Sequence, residues 1–247
     1  MKRIIIFIYG LLSYAVFFGA FLYAVGFVNN LLVPKSIDHG GDLKPLGTAL
    51  IINVVLLSIF AIQHSIMARP QFKKWWTRII PEAMERSTFV LFSSLALILM
   101  FWKWAPMTDV IWKIENSTFS TLIMIIYFIG WVTVLLSTFM INHFELFGLQ
   151  QIYDNLMKRE STHIHFKTGY LYAFCRHPIM LGFLIAFWAT PVMTSGHLLF
   201  SVMTTLYIFV SVKYLEERDL KKHFGDTYAD YKTKVPMFIP TGKKYKE

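Results

Sequence analysis

The sequence predicts an all-α fold, a polytopic membrane helix bundle with four clear spans, a C-terminal helical hairpin and a cytoplasmic C-terminal tail. Two observations predict it. Of the 247 residues, 55% are hydrophobic and only 16% are charged, which is too apolar for an ordinary water-soluble domain of this length. The apolar residues also gather into runs of roughly 20, the length that crosses a bilayer. The lipid bilayer is therefore the chain's first expected partner.

Four apolar runs are long enough to span the membrane. They extend from about Ile4 to Val28, Leu46 to Met67, Ser87 to Trp104 and Phe119 to Ile141. The first run is longer than the apolar core of a signal peptide and lacks a clear small-residue cleavage site. We therefore interpret it as the first membrane helix.

Two shorter apolar runs follow, Pro178 to Met193 and His197 to Val212, with a Thr-Ser-Gly sequence between them. Each is near or below the minimum of about 17 residues for a perpendicular crossing. They predict a tight hairpin that need not cross the membrane fully. No repeat or linker divides the chain, so we expect one domain over residues 1–247, with a four-span bundle over 1–141 and a cofactor-binding loop, hairpin and tail over 142–247.

The basic residues predict the sidedness of the protein. The connection from Arg69 to Arg86 and the one from Asn142 to His177 are rich in Lys and Arg, whereas the intervening connections hold two lysines each. Short cytoplasmic loops carry such an excess, so both termini are expected in the cytoplasm. The net charge of +9 forms no basic stripe with interleaved aromatics, which argues against nucleic acid as a partner.

Polar pairs mark the ends of four apolar runs. The predicted topology places all four pairs on the cytoplasmic side; they are Gln63–His64, Asn142–His143, Arg176–His177 and Glu216–Glu217. Ionisable groups at one membrane depth are costly without partners or water, so they suggest a shared cavity. The alternative for each is interfacial snorkelling or helix capping.

The hairpin pairs a cationic helix entrance with an acidic helix exit. Arg176 and His177, with the free N–H groups of a helix opening at Pro178, suit a ligand carboxylate or phosphate. Glu216 and Glu217 suit hydroxyls or a positive centre. These groups together fit a zwitterionic, nucleotide-like cofactor.

Several neighbouring residues have two interpretations. Gly182 allows either close approach of a ligand or simple helix–helix packing. Tyrosines near the hairpin either cover a flat ring or form an interfacial belt; they are Tyr170, Tyr172, Tyr214, Tyr228 and Tyr231.

The motif RHPIMLG, followed further on by EERDL and FGDTYADYKTKVP, resembles the C-terminal signature of the isoprenylcysteine carboxyl methyltransferase superfamily, with Met180 where that pattern has tyrosine. Upstream, FAIQHSIMARPQFKKWW and INHFELFGLQQIY are similar to a branch of it, the bacterial methanethiol S-methyltransferases. The resemblance implies a bacterial inner-membrane enzyme that uses S-adenosyl-L-methionine to methylate a small thiol, methanethiol, to dimethyl sulfide.

The resemblance also implies which residues line the cofactor pocket, namely Arg176, His177, Pro178, Gly182, Glu216 and Glu217. The sequence contains no G-x-G-x-x-G. A Rossmann-type cofactor site is therefore excluded, and the helices must bind the cofactor by themselves.

Methylation of a thiol requires loss of the thiol proton, because the thiolate is the nucleophile. His64 and His143 are the candidate bases, and hydrogen-bonded core histidines are the alternative. Glu145 either orients an imidazole, helps deprotonation or caps a helix. We expect no metal, because the histidine pair His163 and His165 with scattered single histidines offers too few ligands for a diiron centre.

Three alternative functions stay open from the sequence. The first is methylation of an isoprenylcysteine carboxylate or another lipid-like acceptor. The second is a nicotinamide-dependent reductase, and the third a non-catalytic membrane relative that acts as a sensor or transport module. Binding of S-adenosylmethionine discriminates the methyltransferases from the others.

Overall fold

A computed structural model provides the structure of the chain, and it describes residues 1–159 and 166–240. His163 and His165 lie outside the described residues. The helices are α1 Lys2–Val28, α2 Leu46–Met67, α3 Pro70–Trp76, α4 Glu82–Lys103, α5 Ser117–Ile141, α6 His143–Leu146, α7 Leu149–Met157, α8 Pro178–Trp188, α9 Ser195–Ser211 and α10 Glu217–Lys234. The remaining elements are a two-stranded sheet of β1 Val110–Lys113 and β2 Val192–Thr194, a 3₁₀ turn Tyr170–Ala173 and a π-helical turn Val212–Glu216.

The four long spans predicted from the sequence are confirmed as α1, α2, α4 and α5. Only α4 differs notably, because it begins at Glu82 rather than at Ser87. Pro81 precedes this helix and Glu82 and Glu85 lie in its first turn, where carboxylates interact favourably with the helix dipole. Polar residues thus extend the helix beyond its apolar part.

The long helices expose large apolar side chains. Ile5 of α1, Ile51 of α2 and Ile129 of α5 are 65%, 66% and 52% exposed. A continuous apolar exterior of this kind is expected only where lipid replaces water. Among the described residues, five helices are long and apolar enough to cross a membrane, and the fifth is the continuous helical stretch Ser195–Lys234. These observations together identify an integral membrane protein.

The C-terminal hairpin is also confirmed, and its first limb is short. Helix α8 has 11 residues and a length of about 16 Å, well under the 30 Å of a typical hydrocarbon core. Helix α9 packs back against it, since Ser201 Oγ donates to the Phe187 carbonyl at 2.7 Å and Trp188 Nε1 donates to Thr205 Oγ1 at 2.9 Å. The chain then continues through the π-helical turn into the polar helix α10.

The chain forms two compact units that interleave along the sequence. The first unit comprises residues 1–109, 143–163 and 194–197, and the second comprises 110–142, 164–193 and 198–247, within the described ranges. In the first unit, Asn53 links its helix to the segment after α4: its Nδ2 donates to the Ala105 carbonyl at 2.8 Å and its Oδ1 accepts from the Ala105 N–H at 2.9 Å.

In the second unit, α5 and α8 pack backbone to backbone at two glycines. A Cβ at Gly182 would lie 2.7 Å from the Gly130 carbonyl oxygen, and one at Gly130 would lie 2.8 Å from the Gly182 carbonyl oxygen. Neither site has room for a side chain without separating the helices. The structure therefore places Gly182 in a helix–helix contact, and its role toward a cofactor stays a prediction.

Candidate active site

The second unit contains an ion-pair cluster formed by Arg176, His177, Glu216, Glu217 and Lys232. Helix α8 begins at Pro178 with the proline in its first turn, so Arg176 and His177 lie just before the helix. The π-helical turn ends at Glu216 and α10 begins at Glu217. π-helical turns are rare in proteins overall, but those that occur are often found at functional sites. This one directs both carboxylates toward the entrance of α8.

The Arg176 guanidinium is bound by groups of the chain itself. Its Nε and Nη2 donate to Glu217 Oε1 at 2.9 and 2.6 Å. Its Nη1 donates to the carbonyls of Lys232, at 3.0 Å, and Val235. Arg176 thus ties the entrance of α8 to both ends of α10.

His177 lies between the two carboxylates. Its Nδ1 is 3.4 Å from Glu216 Oε1 and its Nε2 is 3.4 Å from Glu217 Oε1. Burial by itself lowers the pKa of His177, but the two carboxylates outweigh burial and raise it from 6.5 to about 9. At neutral pH the side chain is therefore an imidazolium.

A cavity of about 440 Å³ opens beside this cluster along α10, and the residues that line it are Glu217, Lys221, Tyr228, Ala229, Lys232 and Thr233. Glu217 Oε2 lies 2.6 Å from Lys232 Nζ. The buried Tyr228 hydroxyl makes no hydrogen bond within the described residues. Gly225, at a φ of 55°, interrupts the regular helix between Lys221 and Tyr228. One carboxylate, two ammonium groups and a phenol therefore line one cavity.

The tyrosines predicted for the cofactor site separate into two groups. Tyr172 is buried and its hydroxyl lies 3.4 Å from the Ser137 carbonyl, to which it donates, while the Tyr231 hydroxyl donates to the Tyr172 carbonyl. Tyr170 and Tyr214 are 76% and 56% exposed. Among the predicted tyrosines, Tyr228 is the one that lines the cavity, and the cofactor roles of the others stay predictions.

The candidate histidine bases both lie in the first unit. His64 is half-buried, and its Nδ1 is 3.1 Å from Ser93 Oγ. His143 is only 3% exposed, and its Nε2 is 2.8 Å from the Tyr14 hydroxyl. Burial lowers the pKa of His143, so this imidazole is neutral at physiological pH.

Both imidazoles border one apolar group of side chains, the aromatic cluster, which consists of Phe17, Met67, Phe89, Val90 and Phe147 with the neighbouring Ala68 and Phe72. The His64 ring lies 4.9 Å from the Phe89 ring, and the His143 ring lies 4.7 Å from that of Phe147. The structure thus brings the two predicted histidines to the same cluster.

Glu145 lies on α6 near a cation of α4. The carboxylates of Glu145 and Glu85 interact electrostatically with Arg86, and Arg86 Nε donates to the Leu146 carbonyl at 2.6 Å. This geometry fits an anchor that holds α6 and its His143 against α4. A direct role of Glu145 toward a thiol stays a prediction.

Sequence reasoning missed Tyr14, Lys221 and Lys232. Tyr14 lies within the apolar helix α1. A hydroxyl in such a helix needs a hydrogen-bond partner, and this requirement could have indicated that Tyr14 bonds another polar side chain. The two lysines are part of a basic tail in which the sequence does not distinguish a cavity-lining residue from a solvated one. Within the part of the chain that the structure describes, no group of three or more His, Cys, Asp and Glu side chains is placed to hold a metal ion.

These features define a helical integral membrane protein with an ion-paired helix entrance. Residues 52–239 match the model of the NnrU protein family, and the chain belongs to this family. It is 54% identical to methanethiol S-methyltransferase 1 of Bradyrhizobium diazoefficiens, over 96% of this chain and 83% of that protein.

Two other relatives differ in how similar they are to this chain. Methanethiol S-methyltransferase of Mycobacterium tuberculosis is 51% identical over 97% of this chain and 98% of its own length. Mouse nurim is 26% identical over 68% of this chain and 67% of its own length. No solved structure matches the chain. The resemblance recognised from the sequence motifs is confirmed by these matches.

Proposed function

We propose that this chain is a membrane methyltransferase that transfers a methyl group from S-adenosylmethionine to methanethiol, forming dimethyl sulfide. The observation that carries the proposal is 51% identity, over nearly the whole of both chains, to a relative named methanethiol S-methyltransferase. A sensor or transporter would require neither a cofactor cavity nor a base that deprotonates a thiol.

The cavity beside α10 is the proposed cofactor site, because its groups complement a zwitterionic nucleoside. The ammonium groups of Lys221 and Lys232 suit a carboxylate, and the Glu217 carboxylate suits hydroxyl donors. When bound, S-adenosylmethionine supplies an electrophilic methyl group on a sulfonium. Arg176 and His177 act here by fixing Glu217 rather than by clamping the cofactor directly.

The first unit provides the proposed thiol chemistry. The aromatic cluster suits a small apolar acceptor, and its two bordering imidazoles are the candidate bases, His64 and His143. Whichever imidazole is the base, its replacement, His64→Gln or His143→Asn, should lower the rate of methanethiol methylation by roughly 10²–10⁴-fold, while the cofactor affinity stays unchanged.

Product analysis tests the reaction. Purified protein is incubated with methyl-labelled S-adenosylmethionine and a panel of methanethiol, larger thiols and an isoprenylcysteine carboxylate. We expect labelled dimethyl sulfide. Transfer to the carboxylate alone would support the lipid-like acceptor, and the absence of any methylated product would overturn the proposal.

Calorimetry tests the cofactor site. Lys221→Ala should weaken S-adenosylmethionine binding by about 1.5–3 kcal/mol, the typical value of a hydrogen bond to a charged group. Lys222→Ala is the matched control, because this neighbouring exposed lysine does not line the cavity. Equal affinities of the two variants would remove the cavity from cofactor binding.

We also propose that the chain lies in a bacterial inner membrane with both termini in the cytoplasm, which the basic connection between α2 and α4 supports. The test uses the exposed positions of Lys74→Cys and Lys113→Cys. A membrane-impermeant thiol reagent should label intact cells at position 113 alone, and at position 74 only after the membrane is opened. The reverse pattern would invert the topology.

A further inference from the structure

The hydrogen bond between Tyr14 and His143 joins two parts of the first unit that are 129 positions apart in the sequence, at an O–N distance of 2.8 Å. The phenol ring also meets the imidazole edge to face at a centroid distance of 5.7 Å. The two side chains therefore interact through a ring contact and a hydrogen bond.

The two partners differ in access. His143 is 3% exposed, with Phe144 and Phe147 against its ring, whereas Tyr14 is only half-buried. Of the two side chains, the phenol is therefore the more accessible one. Because a phenol is a weaker acid than an imidazolium, the neutral pair has the phenol as donor and Nε2 as acceptor.

We propose that the Tyr14 hydroxyl contacts the acceptor thiol and relays its proton to His143 Nε2. This inference rests on the proposed methyltransferase function. It makes Tyr14 a catalytic residue and assigns to His143 the role of a base that acts through it. His64, whose ring lies against Phe89 of the aromatic cluster, is not part of this path.

The proton and electron balance of the step is complete. The thiol S–H proton passes to the Tyr14 oxygen while the Tyr14 proton passes to His143 Nε2, so tyrosine ends as it began. The thiolate forms a new S–C bond to the methyl group as the C–S bond of a sulfonium donor breaks. The donor leaves as a neutral thioether, and the imidazolium later releases its proton to water.

Other ionisable groups lie on α4, α6 and α7, the helices of the first unit near Tyr14 and His143. Glu85 and Arg86 lie on α4, Glu145 on α6, and Asp154 on α7, where Asp154 accepts two hydrogen bonds from Gln150 at 2.9 and 3.0 Å. The carboxylates of Glu85 and Glu145 interact with Arg86, whereas the pKa of His143 is lowered by burial of its ring. The hydrogen bond to Tyr14 and the burial of the ring therefore define the surroundings of the accepting nitrogen.

The test compares Tyr14→Phe with Tyr9→Phe. Both tyrosines lie on α1, and the Tyr9 hydroxyl bonds Thr88 Oγ1 at 2.9 Å instead of a histidine. Tyr14→Phe should lower the methylation rate of methanethiol by about 10²-fold or more at neutral pH, and Tyr9→Phe should not. With methaneselenol, which is already ionised at neutral pH, Tyr14→Phe should match the wild type. Equal losses on thiol and selenol would show a merely structural role and overturn the relay.

Two further measurements separate the relay from the methyl transfer itself. Ultraviolet difference spectra without any methyl donor should show thiolate formation on the wild type and Tyr9→Phe but not on Tyr14→Phe. His143→Gln should reproduce the thiol-selective loss, and the double variant should be no slower than either single variant. Thiolate formation without methylation would contradict the proposed function but not the relay. Full activity of Tyr14→Phe on the thiol would contradict the relay but not the proposed function.

Discussion

The two units hold their buried polar groups in different ways. The second unit buries formal charges, with Arg176 and Glu217 9% and 3% exposed and joined at 2.6 Å. The first unit buries neutral groups such as Asn53, 0% exposed, and also the carboxylate of Asp154, 5% exposed, which accepts hydrogen bonds from the Gln150 amide. A buried charge is stable only with its partner, while a buried neutral group loses little more than its own hydrogen bonds. Changes in the second unit should therefore cost more stability.

Removing one partner of the buried ion pair should have the largest effect. Arg176→Ala leaves the Glu217 carboxylate without its guanidinium and should lower the free energy of unfolding by about 3–5 kcal/mol. Thermal unfolding in detergent measures the change.

The matched control for this variant is Lys234→Ala on the same helix. It removes an exposed pair of Lys234 and Asp230 at 2.7 Å, which is worth at most about 0.5 kcal/mol. Similar changes in the unfolding temperature of the two variants would contradict a stabilising role of the buried ion pair of Arg176.

The stability of the second unit should depend on pH through His177. Its pKa rises from 6.5 in the unfolded chain to about 9 in the folded protein. The stabilisation is therefore fully present below about pH 6.5 and is lost as the pH rises through about 9, at about 1.4 kcal/mol for each unit of pKa shift.

Unfolding measured between about pH 6 and pH 10 checks this dependence. His177→Gln should flatten the curve over that window, and His223→Gln, at an exposed position of α10, should not. An unchanged slope in His177→Gln would assign the pH dependence to other groups.

An effect smaller than that of Arg176→Ala is expected for a buried neutral group of the first unit. Asn53→Ala removes two hydrogen bonds to the Ala105 backbone and leaves one buried N–H and one carbonyl unpaired, at about 1–3 kcal/mol. Thermal unfolding at neutral pH compares it with Arg176→Ala. A loss as large as that of the ion-pair variant would erase the distinction between the units.

Local sequence features predicted much of the fold. Hydropathy located α1, α2, α4 and α5, and the short runs with Thr-Ser-Gly between them predicted the hairpin of α8 and α9. Pro178 predicted the start of α8. These features succeed because span length and helix initiation depend on residues that are neighbours in the chain.

The same local features could not choose among partners. Gly182 was open to either ligand approach or helix packing; the position of Gly130 against it shows a packing contact, while its role toward a cofactor stays a prediction. Only the structure shows that the donors of Arg176 bind Glu217 and two carbonyls of the chain, and its predicted contact with an anionic ligand stays a prediction. Both outcomes depend on how α5 and α10 pack, which no short motif contains.

The sequence by itself determined an integral membrane helix bundle, the family of the chain and the clustering of ionisable groups at helix ends, because composition and motifs are local properties. Only the tertiary structure decided that Glu217 pairs with Arg176 across 41 positions and that Tyr14 meets His143 across 129. A hydrogen bond acts over about 3 Å. Its partners are therefore chosen by the packing of distant helices, after the spans themselves are defined.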